Sequence, residues 1–133
     1  MCNCSCHPED FPSLAEMQET QRRFFVFIAR LKARLCGYAD AALPDLLQAH
    51  AADTDLFKRP SQRQKAAFYG QMESILSKAR DVLDEEVIGF PFRSDDSVMA
   101  AACSTFRSAC YAEFLALEAV ANDYREQLEQ VFS

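Results

Sequence analysis

Apolar side chains recur at alternating three- and four-residue steps through three long stretches of this chain, the spacing of helices that each hide one face. The first stripe is Leu14, Met17, Phe24, Ile28, Leu31 and Leu35, with Gln21 as a polar interruption. The second is Phe68, Met72, Ile75, Leu76, Ala79, Val82 and Leu83. The third runs through Met99, Cys103, Phe106, Cys110, Phe114, Leu117, Ala121, Tyr124, Leu128 and Val131. With only 3 glycines and 5 prolines, the composition also favours helix over a turn-rich β architecture.

Local signals set the expected boundaries. Ser13-Leu14-Ala15-Glu16 has the capping-box spacing, in which a hydroxyl and a carboxylate three residues apart satisfy orphan backbone donors. It predicts a helix from about residue 13 to 36, with Gly37 as its C-cap. Pro44 is tolerated near a helix start, which predicts a short second helix from 41 or 44 to 51. Asp53, Asp55 and Pro60 mark a connector, and Ser61-Gln62-Arg63-Gln64 opens a helix predicted to reach about residue 84. Gly70 inside it costs about 1 kcal/mol against alanine, which reads as close packing against a neighbour, with simple tolerance as the alternative. Gly89-Phe90-Pro91-Phe92 then breaks the pattern, and the last helix is expected from Ser94 or Asp95 to about residue 131.

The implied fold is all-α: an antiparallel helical bundle of three long helices plus one short helix, with a non-helical N-terminal arm. Residues 1–12 form an extended or flexible cysteine-rich arm, and residues 13–133 form a single domain. A chain of 133 residues, half of them hydrophobic, buries a core without metals or cross-links. At about 1.5 Å per residue the last helix would be about 55 Å long and the first about 35 Å. The C-terminal part of the last helix is therefore expected to kink, fray or pair with a second copy. In that third alternative Tyr124, Leu128 and Val131 form the seam of a homodimeric adaptor.

The net charge of -6 argues against nucleic acid and anionic lipid as partners. No stretch reaches the roughly 18 apolar residues of a membrane span, and the first residues lack the pattern of a secretory signal. A cytoplasmic location is expected, where cysteines are reduced thiols, metal ligands or core residues. The charge is uneven: residues 1–80 carry 11 Lys/Arg against 9 Asp/Glu, whereas residues 81–133 carry 3 against 11.

Cys2, Cys4, Cys6 and His7 are the dense set of soft ligands, a spacing that can chelate Zn²⁺ or Cu(I) in a flexible peptide. No second cluster faces them, so incidental thiols on a mobile arm are the main reading and a thiol or metal sensor or carrier is the alternative. Cys36, Cys103 and Cys110 fall on predicted core faces, and His7 and His50 are the two histidines that could activate a nucleophile. Inward-facing Glu-x-x-His pairs, phosphate-binding glycine patterns, the Gly-x-Ser-x-Gly elbow and His-Glu-x-x-His are all absent. The expectation is a protein that is not an enzyme and uses no cofactor.

Two charge groupings remain. Arg22, Arg23, Arg30, Lys32 and Arg34, with Lys58, Arg59, Arg63 and Lys65, read as a solvated face. Asp81, Asp84, Glu85 and Glu86 close one helix, and Asp95 and Asp96 open the next, so six carboxylates are expected at one end of the bundle. Carboxylates at a helix C-terminus oppose its dipole by a few tenths to about 1 kcal/mol each, so they are not there to stabilise that helix. With Phe90 and Phe92 presented in the intervening loop, this end is expected to dock onto a basic surface of a protein partner, a toxin or an enzyme. The chain would then be an inhibitor, immunity protein or antitoxin of bacterial or phage type. The opposing expectation is that the helix ends before Asp84 and both phenylalanines plug the bundle.

Overall fold

In a computed structural model that describes residues 13–52, 59–92 and 96–132, the chain is all-α. The three helices are α1 (Leu14–Ala52), α2 (Arg59–Val82) and α3 (Ser97–Phe132). A π-helical segment, Leu83–Ile88, continues the path of α2.

The first helix begins as its capping box requires. The Glu16 amide donates to Ser13 Oγ at 3.1 Å, and the Met17 amide donates to the Ser13 carbonyl at 3.0 Å. It does not end at Gly37, and there is no separate short helix. α1 runs 39 residues to Ala52 with Pro44 inside it. A proline in a helix interior costs about 3 kcal/mol, and the continuation recovers a comparable amount by burying Ala39 completely and Leu46 to 3% exposure. α2 also begins earlier than predicted, so Pro60 lies in its first turn, where a missing N–H has no helical acceptor to lose. The cysteine-rich arm of residues 1–12, with Cys2, Cys4, Cys6 and His7, lies outside the described residues.

The three stripes meet in one apolar core that draws Phe24, Leu35, Phe68, Met72, Phe106, Cys110 and Leu117 from the three helices. Leu14, expected in the first stripe, is instead 45% exposed. Cross-helix contacts fix the alignment of α2 with α3. The Tyr69 hydroxyl donates to Glu129, Arg125 pairs with Glu73, and Arg80 lies 3.4 Å from Glu118 and over the ring of Phe114. Tyr38 of α1 packs on Phe68 of α2, with ring centroids 5.8 Å apart.

The longer α1 removes the reason to expect an uncovered end on α3. At 39 and 36 residues the two helices are closely matched in length. Leu128 is completely buried, and the Tyr124 hydroxyl donates to Asp40 Oδ1 at 3.0 Å. Two of the three residues assigned to a dimer seam are thus engaged within the chain; the side chain of Val131 lies outside the described residues.

Candidate functional site

The acidic end is built on the π segment. A π turn admits one extra residue per turn, so Leu83 and Val87 both face the core while Asp84, Glu85 and Glu86 stay in solvent. The segment closes when the Gly89 amide donates to the Asp84 carbonyl at 2.9 Å. The Phe90 amide then donates to the Val87 carbonyl at 3.2 Å. A Cβ on Gly89 would lie 2.8 Å from the Glu85 carbonyl oxygen, so this turn requires glycine for space and not for a left-handed backbone.

Phe90, expected to be presented in the loop, is buried instead. It is 9% exposed and meets Phe106 edge-on, with ring centroids 5.3 Å apart, in the turn where its amide folds back onto the Val87 carbonyl. A shallow hollow lined by Glu16, Glu19, Thr20, Arg23 and Phe90 places the start of α1 at this same end. Phe92 is half-buried and packs against the core. The opposing expectation also fails in one respect, since the helical path continues through Asp84 to Ile88.

Among the described residues, the carboxylates of Asp81, Asp84, Glu85 and Glu86 are exposed and have no ion-pair or hydrogen-bond partner. Asp96, also exposed, has a role in the fold. Its Oδ1 accepts from the Val98 amide at 2.9 Å, and its carbonyl accepts from the Ala100 amide at 3.0 Å, which makes it the N-cap of α3. Asp95 lies outside the described residues. Three residues here escape the stripe logic. Arg107, half-buried on α3, reaches the carbonyl oxygens of Val87, Ile88 and Phe90, each at 3.4 Å. It is the lone charge between Asp96 and Glu113, a signal visible in the sequence. Ile88 and Val98, off the three/four rhythm, are 51% and 73% exposed beside the carboxylates in the chain.

Cys103 and Cys110 are buried, and burial, then the nearby Glu113 carboxylate, pushes the Cys110 thiol up to about 11. Cys36 is half-buried on α1. Among the described residues no group of three or more His, Cys, Asp or Glu is arranged to hold a metal ion. No helix of the described residues is long and apolar enough to cross a membrane. No protein-family model, curated protein or solved structure matches this chain.

Proposed function

We propose that the chain is a non-catalytic, cytoplasmic protein-binding protein of the inhibitor, immunity or antitoxin kind, which covers a basic surface of a partner with its acidic end. In this reading the helices form an up-down-up bundle whose successive members run antiparallel, in keeping with the pairings of Tyr69, Glu73 and Arg80 with Glu129, Arg125 and Glu118. The observation that carries it is the set of carboxylates at Asp81, Asp84, Glu85 and Glu86, unpaired among the described residues, on a backbone held in place by Arg107 and the buried Leu83, Val87 and Phe90. Like charges held close together are costly, and a rigid mount lowers the entropy lost when a cationic surface neutralises them. Ile88 and Val98, not Phe90, supply the apolar contact area.

The test is capture from native extract with the intact chain, with a D84K/E85K/E86K variant and with Ile88→Ser, Val98→Ser. A partner that binds the intact chain, is lost on charge reversal and dissociates as salt rises supports the reading. A partner held equally by the charge-reversed chain removes it.

A further inference from the structure

The outer face of α3 differs from every other surface described. Each exposed residue from Ser97 to Asn122 is uncharged. α1, by contrast, exposes Glu16, Arg23, Arg30, Lys32, Arg34 and Asp40, and α2 exposes Arg63, Glu73, Lys78 and Asp81. Across about 39 Å of helix, at about 1.5 Å per residue, the solvent side of α3 offers small residues around two large ones. Tyr111 is 50% exposed and stacks on Phe114, and Leu115 is 41% exposed. Both sit off the core stripe, so the apolar content of this face is not a by-product of core packing. A chain with 26% charged residues that keeps charge off about seven turns of one helix face has a surface suited to packing against another neutral helix.

We propose that this face, centred on Tyr111 and Leu115, packs against the same face of a second copy in a weak, reversible, antiparallel pair. A charged partner would bury its charges unpaired there, whereas the second copy brings a neutral face of equal length. The sizes are self-complementary. When two copies of α3 cross antiparallel about a two-fold axis between Tyr111 and Ala112, Leu115 of each stands over Ser108 of the other, and Tyr111 over Ala112. Ser104 and Ala119 meet in the next layer, so each large side chain opposes a small one and the helices approach closely. With that axis the neutral overlap runs from Ala101 to Asn122, a strip about 33 Å by about 10 Å that covers on the order of 300 Å² per copy, which is below the size of stable interfaces and fits a transient one. Each copy carries a net charge of -6, so repulsion opposes association and added salt strengthens it. That salt dependence is opposite in sign to docking through the acidic end and separates the two readings.

Sedimentation equilibrium of the purified chain under reducing conditions tests this, from about 10 µM to about 1 mM protein at low and high salt. The expected result is a weight-average mass that rises from 15.0 kDa towards twice that value, at lower protein concentration when salt is high. Ser108→Lys and Leu115→Glu change exposed residues, so helicity by circular dichroism should be unchanged while each variant alone stays monomeric. The double variant S108K/L115E should associate again, because the pairing sets each introduced cation against an introduced carboxylate of the other copy. A monomer at the highest protein and salt concentrations, or self-association undiminished in L115E, overturns the proposal. Single variants that stay monomeric with no recovery in the double variant overturn the antiparallel pairing.

Discussion

The Tyr124 hydroxyl donates to Asp40 Oδ1 at 3.0 Å, tying the last third of α3 to a part of α1 that lies beyond both Cys36 and Gly37. That bond exists because α1 does not stop where its glycine suggests. Burial of the phenol, then its bond to Asp40, holds the Tyr124 pKa well above the ordinary tyrosine value.

Removing this part of the core should therefore destabilise the monomer. Leu128→Ala is expected to cost about 2–5 kcal/mol and Tyr124→Phe about 1 kcal/mol. Urea denaturation followed by circular dichroism measures both, and the midpoints should not vary with protein concentration in the low micromolar range. A concentration-dependent midpoint for Leu128→Ala would instead place Leu128 at a contact between chains.

The core was legible in the sequence because burial and helical period act together: Phe24, Ile28, Leu31 and Leu35 are each buried at the positions their spacing predicts. The boundaries were less legible, since Gly37 and Pro44 are local penalties of a few kcal/mol that tertiary burial of Ala39 and Leu46 outweighs. The π segment left no periodic signature, because its buried residues Leu83 and Val87 are four apart, the spacing an ordinary α turn also gives. The acidic residues were readable as charges. Which aromatic or aliphatic side chain stood beside them depended on the turn after Gly89, and a turn of that kind is set by contacts with Arg107 that lie far apart in the chain.

Gly37 and Gly70 now read as simple tolerance and not as caps or close contacts. Both are exposed within helices, and a Cβ at either position would meet nothing within 4 Å. Alanine at each should stabilise the chain by about 1 kcal/mol and raise Tm by about 4 °C. Thermal melts of the two single variants check this. A loss of stability in Gly70→Ala would restore the idea of close packing at that site.

Gly89 is the opposite case. Alanine there drives a Cβ to 2.8 Å from the Glu85 carbonyl oxygen and 3.1 Å from that of Asp84, both backbone atoms that cannot swing aside. Gly89→Ala is expected to cost about 1–3 kcal/mol and to open the π turn. Arg107→Met removes the donor shared by the Val87, Ile88 and Phe90 carbonyls and should cost about 1–2 kcal/mol. Hydrogen exchange distinguishes local from global effects: the amides of Gly89 and Phe90 should lose protection in both variants, while those in the middle of α1 keep it.

The pairing of Tyr69 with Glu129 predicts how stability depends on pH at both extremes. Burial, then the hydrogen bond to Glu129 and its charge, raises the Tyr69 phenol from 10.0 to about 12. A phenol that ionises more readily in the unfolded chain favours unfolding once it can lose its proton. This contribution is therefore intact below pH 10 and is lost as pH rises towards 12. Glu129 behaves in the reverse sense: the Tyr69 bond and then Lys65, 3.2 Å away, lower its carboxyl below the ordinary 4.5. Its contribution is intact above that value and is lost as pH falls through the lowered pKa. Tyr69→Phe should flatten the fall in urea midpoint between pH 10 and 12 and reduce the acid loss below pH 4.5. Glu129→Gln should flatten the acid limb and lower the phenol of Tyr69, read as an earlier tyrosinate absorbance in the folded protein. If the alkaline limb of Tyr69→Phe matches the parent chain, Tyr69 is not the phenol that couples folding to pH, and Tyr124, bonded to Asp40, is the next to test.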